Sequence, residues 1–184
     1  MSENKKPEII TLSSKEVYKN RWMSVREDAI ERADGSKGIY GVIEKKDFAV
    51  VVPIGPEGIT LVEQYRYTVG ERHWEFPQGS KEDTDLCSID LAKAELCEET
   101  GLRAKKMEAI GELFTAYGYS NQRYFAFVAT GLTKGERNLD PEEQGLISKT
   151  FPIAEVERMI LCGEIKDSVT VAVFGLLKIR GVIM

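Results

Sequence analysis

Histidine and cysteine are scarce in this chain: there is one histidine, His73, and three cysteines, Cys87, Cys97 and Cys162. No two of the thiols stand in a Cys-x-x-Cys spacing and no histidines cluster with them. An odd, scattered set of that kind makes neither a disulfide framework nor a zinc site, and it suits a reducing compartment. One histidine beside Trp74 supplies no Ser/His/Asp set, and it reads as a structural or exposed side chain. Positive charge is also short. Lys and Arg number 25 against 30 Asp and Glu, for a net charge of −5, so the bulk positive field of a non-specific nucleic-acid binder is missing. Long hydrophobic runs are absent too. The most apolar stretch, Val169 to Leu177, is too short to span a bilayer and runs into Lys178. The opening residues, MSENKKPEII, are polar and lack the apolar run of a signal peptide. The expectation is a cytoplasmic protein with neither nucleic acid nor membrane as partner.

What is present is enough for a core. The 184 residues are 42% hydrophobic and 30% charged, which fits one domain with a small appended lobe and excludes wholesale disorder. Residues 1–8 read as a flexible, charged tail. Met23 to Arg32, the turn Asp34-Gly35 and Ile39 to Ile43 read as a β-hairpin. Phe48 to Ile54 is a buried-type strand, Gly55 to Gly58 a turn, and Ile59 to Tyr67 another strand. The period then changes. Ile89 to Thr100 carries apolar residues at roughly helical spacing and stops at Gly101. Strands follow near Lys106 to Phe114 and Tyr124 to Val128, with an acidic loop over Pro141 to Gly145. Ile153 to Cys162 and Ser168 to Ile179 read as two closing helices. The pattern is a mixed sheet carrying helices, an α+β fold or α/β sandwich.

The segment Leu91-Ala-Lys-Ala-Glu-Leu-Cys-Glu-Glu-Thr-Gly-Leu102 carries the chemistry. On a helix Glu95, Glu98 and Glu99 fall at i, i+3 and i+4 and share a face, while Leu91 and Leu96 point toward a core. Three like charges repel one another there, and they sit at a helix C-terminus, where the macrodipole disfavours them. Two readings meet this pattern. One is a platform of hard oxygen ligands for Mg2+ or Mn2+, commonly bound together with substrate phosphates; the other is a solvated acidic face. The platform also answers the net-charge problem, because bound cations invert the local field for an anionic substrate.

Upstream of that helix stands Trp74-Glu-Phe-Pro-Gln-Gly79, and from Gly79 to Leu102 the chain reads G-x5-D-x8-A-E-L-C-E-E-T-G-L. This resembles the Nudix hydrolase signature, G-x5-E-x7-R-E-U-x-E-E-x-G-U, where U is a bulky apolar residue. The departures are Asp85 in place of Glu, one additional residue before the helix, and Ala94 in place of the signature Arg. That Arg helps hold the loop and orient the glutamates in the family, so its loss implies a weak enzyme, or Lys93 or another group in the orienting role. The Glu63-Gln64-Tyr65-Arg66 strand and the N-terminal β region resemble the ADP-ribose and nucleotide-sugar pyrophosphatase branch.

The resemblance implies a fold and a site. The fold is a Nudix-like α/β/α sandwich with a mixed sheet over residues 47–184, preceded by a small antiparallel β region, residues 9–46, that dimerises. The activity is Mg2+-dependent hydrolysis, with Mn2+ as an alternative, of the pyrophosphate bond in a nucleoside diphosphate linked to a sugar. ADP-ribose, giving AMP and ribose 5-phosphate, is favoured. Glu95, Glu98 and Glu99 would hold metal, together with the backbone carbonyl of Gln78. Glu98, Glu142 and Glu143 are the candidate catalytic carboxylates, the last two from the acidic loop, with Glu143 preferred as base. Arg66 would contact the phosphates, Trp22 would stack the base, and Tyr117 stands where the branch carries a proline. The expected partners are a small nucleotide substrate and a second copy of the chain. Tyr117 resembles a feature of dinucleoside-polyphosphate hydrolases, and a dinucleoside polyphosphate or a damaged nucleotide stays open as an alternative substrate. Ala94 and the additional residue keep open a non-catalytic module that binds nucleotide sugars.

Overall fold

One strand explains the layering of the larger part of the chain. Along Phe48–Gly55 (β4), Val50 and Val52 point into one apolar cluster while Ala49 and Val51 point into another, as the two-residue period of a strand requires. The first cluster also takes Val156 and Met159 of Ile153–Leu161 (α2) and Val173, Phe174 and Leu177 of Ser168–Ile179 (α3). The second takes Leu91, Ala92 and Leu96 of Ser88–Thr100 (α1). Arg123–Lys134 (β9) alternates in the same way, with Ala126 and Val128 in the first cluster and Phe127 and Ala129 in the second. A sheet buried on both faces between helices is an α/β/α sandwich.

The computed structural model describes residues 7–80, 86–139 and 143–184. They divide into two compact units: residues 48–113 with 124–184, and residues up to 47 with 114–123. In the larger unit the sheet runs in the order β10–β5–β4–β9–β8, where β10 is Ile147–Phe151, β5 is Gly58–Arg66 and β8 is Leu102–Phe114. Two further strands join it: Glu71–Glu75 (β6) pairs with β5, and Gln78–Gly79 (β7) with β4. The β4–β9 pair is parallel and β4–β5 antiparallel, so the sheet is mixed. Helix α1 stops at Gly101, whose φ of 70° is the left-handed conformation that closes a helix and that glycine adopts without a Cβ clash.

The smaller unit is a three-stranded antiparallel sheet in the order β1–β2–β3, from Ile9–Lys19 (β1), Ser24–Arg32 (β2) and Lys37–Glu44 (β3). Residues 114–123, distant in sequence, join it. Ile43 donates its N–H to the carbonyl of Tyr119 at 2.8 Å, and Tyr40 donates its hydroxyl to the carbonyl of Gly118 at 3.0 Å. Arg123 grips Asp47 through its backbone N–H at 2.8 Å and its Nη2 at 2.7 Å.

The hairpin, β4, β5, β8, β9 and all three helices lie where the sequence indicates. Four short or irregular strands do not announce themselves. β1 reads as polar, IITLSSKEVYK, because every residue in it is exposed. β6, β7 and β10 have five residues or fewer, too short for a period to emerge. Among the described residues, no helix is long and apolar enough to cross a membrane.

Candidate active site

Helix α1 buries Leu91, Ala92, Glu95, Leu96 and Glu99. That is one continuous stripe at helical spacing, so Glu95 and Glu99 extend the apolar face and do not form a separate exposed one. Glu98 lies off the stripe and is half-buried. The three-glutamate face expected from spacing is thus two buried carboxylates and one at the margin, because i+3 falls to the side of a stripe already set by Leu91 and Ala92.

A third carboxylate, half-buried, comes from elsewhere. Carboxylate oxygens of Glu95, Glu99 and Glu143 all lie within 4.8 Å of one another. Glu99 is fully buried, and its Oε2 accepts the backbone N–H of Gln78 at 3.1 Å. Its Oε1 is buried without a hydrogen-bond partner. Burial above all, then the charges of Glu95, Glu143 and Glu75, hold the Glu99 carboxyl well above the ordinary carboxylate range. An unpartnered anionic oxygen costs several kcal/mol when buried alone. A divalent cation among three carboxylates removes that cost, and the hard oxygen donors fit Mg2+ or Mn2+.

Gly79 is part of the same construction. A Cβ built there would stand 2.5 Å from Oε2 of Glu95, so only glycine lets that carboxylate lie against the β7 backbone. The signature Arg has no counterpart at Ala94, and Lys93 does not replace it. Its ammonium is exposed and pairs with Asp90 at 2.9 Å. The group that orients Glu99 is instead the Gln78 N–H.

Beside this cluster is a second one that sequence reading missed. Gln64 and Arg66, two residues apart on β5, share a face and both donate to Glu75, at 2.7 Å from Gln64 Nε2 and 2.5 Å from Arg66 Nη2. Glu75 is buried, and burial raises its carboxyl above the usual range against the opposing pull of Arg66. The amide of Gln78 donates to Glu75 at 3.3 Å and to Asp167 at 3.1 Å. Asp167 in turn caps α3 by accepting the N–H and hydroxyl of Thr170, at 2.8 and 2.7 Å. The available signals were a lone acid between the apolar residues Trp74 and Phe76 and an Asp standing directly before an apolar helix.

The remaining candidates are placed as follows. Arg66 keeps 41% of its side chain exposed. Trp22 and Tyr117 belong to the smaller unit and are 48% and 84% exposed, Trp22 in the β1–β2 connection and Tyr117 within residues 114–123. Glu142 and Asp85 lie outside the described residues.

Comparison with known proteins decides the family. The NUDIX domain model matches residues 44–170, well over half of the chain. The chain belongs to the Nudix family. A model described as the nucleoside diphosphate sugar hydrolase N-terminal domain matches residues 9–43, directly ahead of it. The chain is 32% identical over 174 residues to an ADP-ribose pyrophosphatase of Mycobacterium tuberculosis, covering 94% of this chain and 83% of that protein. It is 28% identical over 136 residues to a methanol dehydrogenase activator of Bacillus methanolicus, covering 72% and 73% of the two chains. A solved structure described as an ADP compounds hydrolase superposes with a TM-score of 0.84 at 20% identity, covering 98% of this chain and all of that one, a likeness of fold. This Nudix protein is therefore a pyrophosphohydrolase of the ADP-ribose pyrophosphatase-like branch, and its sheet and helices are the sandwich that the signature implied.

Proposed function

We propose that this Nudix enzyme hydrolyses the pyrophosphate bond of a nucleoside diphosphate sugar, ADP-ribose foremost, to a nucleoside monophosphate and a sugar phosphate, in the presence of Mg2+. The observation that carries the proposal is the carboxylate group Glu95–Glu99–Glu143 with its buried, unpartnered Glu99 oxygen. Glu95 and Glu99 would hold the cation, with Glu98 at the margin and the carbonyl of Gln78, the residue whose N–H binds Glu99, while Glu143 stands beside them. Bound there, Mg2+ supplies charge neutralisation at the pyrophosphate and activation of water as nucleophile.

The rest is performed by the chain. Arg66, held on Glu75 and partly exposed, presents its free guanidinium edge to phosphate oxygens, for which the planar fork is suited. Glu143, half-buried and contributed by a loop, accepts the proton of the attacking water. Attack in line at phosphorus needs no covalent intermediate. Trp22, with half its surface exposed, offers a ring for the base.

The same reading includes a homodimer. Strand β1 lies at the edge of its sheet and is exposed along its whole length, with Ile9, Ile10, Leu12, Val17 and Tyr18 all exposed. A long exposed edge carrying apolar side chains is a template for pairing with another chain, and a second copy of this chain is the partner proposed. Sedimentation at micromolar concentration reads this directly.

The test of the activity is phosphatase-coupled phosphate release from ADP-ribose, a UDP-sugar, a GDP-sugar and a dinucleoside polyphosphate, each with Mg2+ and with EDTA. Mg2+-dependent turnover of ADP-ribose or another nucleotide sugar supports the reading. Binding of these compounds without turnover overturns it in favour of a nucleotide-sugar-binding module, and preference for the dinucleoside polyphosphate reassigns the substrate.

A further inference from the structure

The Gln78 side chain lies between two carboxylates that belong to different elements. Its Nε2 is 3.3 Å from Oε2 of Glu75, at the end of β6, and 3.1 Å from Oδ2 of Asp167, the cap of α3. Both partners accept, so the nitrogen and not the oxygen of the amide faces them, and its two protons serve one carboxylate each. The backbone N–H of the same residue holds Glu99. Phe76, two residues upstream, is fixed to α3 as well, its N–H donating to the Thr170 hydroxyl at 2.9 Å. The first turn of α3 thus clamps the 76–78 segment at two points. From Asp167 the chain of contacts runs through the Gln78 amide to Glu75 and from there to Arg66, which has two donors on that carboxylate.

We propose that Asp167 and the Gln78 amide form a positioning pair that sets the Glu75 carboxylate, and through it the Arg66 guanidinium, for the phosphates of the substrate. This rests on the phosphate-binding role of Arg66 proposed above. Neither residue of the pair touches substrate. Each acts by limiting the rotamers of Glu75, which is bonded from two sides: Gln64 and Arg66 on one, Gln78 on the other. Without the amide, Glu75 and Arg66 keep their attraction but lose the third fixed point, and the guanidinium fork no longer meets the pyrophosphate in one geometry.

Cap and bridge are separable by substitution. Asp167→Ser retains a helix cap, since a serine oxygen accepts the same N–H, but its side chain is too short to reach the Gln78 amide. Asp167→Asn retains one oxygen which, placed as Oδ2 of Asp167 is, accepts both from Thr170 and from the Gln78 amide. Gln78→Met removes the amide while leaving the backbone N–H to Glu99. Steady-state hydrolysis of ADP-ribose with Mg2+ is measured for each, with the melting temperature.

The expected result is a rise in KM of about three- to tenfold for Asp167→Ser and for Gln78→Met, the scale of one lost charge-assisted hydrogen bond. In both, kcat stays within about twofold. Asp167→Asn restores KM to within about twofold of the unsubstituted enzyme. The double variant Asp167→Ser/Gln78→Met is no worse than Gln78→Met, because the two lie on one path. An unaltered KM in Asp167→Ser with a lowered melting temperature makes Asp167 a cap and nothing more. Multiplying effects in the double variant, or a loss confined to kcat, also overturn the pair. If the unsubstituted enzyme turns over none of the nucleotide sugars, the proposed function itself fails and this inference with it. Turnover with Asp167→Ser unchanged removes the inference alone.

Discussion

Replacing Glu99 by glutamine should stabilise the metal-free protein while abolishing its activity. With carboxylate oxygens within 4.8 Å of one another, each like-charged pair in the group costs about 3.5 kcal/mol at an effective dielectric constant of about 20. Proton uptake caps that cost, which is the meaning of the raised Glu99 carboxyl. Glutamine removes the charge without removing the shape. Its oxygen accepts the Gln78 N–H as Oε2 of Glu99 does, and its NH2 then points where the unpartnered Oε1 lay, as a donor toward Glu95 and Glu143. A net gain of about 1–2 kcal/mol follows, a rise of about 2–8 °C in melting temperature for a chain of this size.

With Mg2+ the order reverses. Unsubstituted protein gains about 2.7 kcal/mol at a metal concentration one hundred times its Kd, and the variant, short of one anionic ligand, gains little. Turnover of ADP-ribose should fall by more than about 100-fold, since removal of outer-shell partners alone costs 10–100-fold. Thermal melts in EDTA and in Mg2+, beside the coupled assay, read all three quantities. A variant that melts lower in EDTA and retains normal turnover refutes both the electrostatics and the metal assignment.

Gly79→Ala should fold but bind metal more weakly, because its Cβ displaces the Glu95 carboxylate from a position 2.5 Å away; isothermal calorimetry with Mn2+ checks this, and an unchanged Kd would show that Glu95 is not a ligand. Above the ordinary carboxylate range, where the lowered carboxyls are already ionised, stability of the metal-free protein should decline with rising pH. Glu99 and Glu75 both have carboxyls raised in the folded state, so their contribution is full below the ordinary carboxylate range and is lost as pH climbs through the raised folded values. Denaturant titrations in EDTA across that range should show the fall, and Glu99→Gln should flatten it. Trp22→Ala should raise KM for ADP-ribose with little change in kcat and a stability change within about 0.5 kcal/mol, as its surface exposure suggests; a lowered melting temperature with unaltered KM would make Trp22 a packing residue.

The sequence was informative where a pattern is long or charged. Helix α1 is legible from Ile89 to Gly101 because its apolar stripe and its glycine stop agree, and the same holds for α3. The carboxylate group was half legible. Glu95, Glu99 and Glu143 could each be named as candidates, but the equal weight given to Glu98 follows from counting i+3 and i+4 alike. Only packing shows that the stripe through Leu91 and Ala92 runs on into Glu95 and Glu99. The contacts of Glu75, Gln78 and Asp167 were not legible at all. They join residues 89 positions apart through side-chain amide and carboxylate geometry, and a periodicity within one element carries no trace of a partner in another.

The burial of acids in this site is a consequence of helix geometry before it is a feature of catalysis. Leu91, Ala92 and Leu96 find apolar partners in Ala49, Val51, Phe127 and Ala129. Once they do, residues 95 and 99 cannot turn to solvent, because a helix of 3.6 residues per turn brings them under the same stripe. What changes along the stripe is the surface it meets. At its N-terminal end that surface is the side chains of β4 and β9, and toward its C-terminal end it is the backbone of Gln78 and Gly79, a donor N–H and a position without a Cβ. Apolar packing at one end therefore holds like charges together at the other, against their repulsion. The core of the sandwich supplies the stability that the acidic group consumes, and a bound cation returns part of it, so that the fold is most stable in the state competent for chemistry.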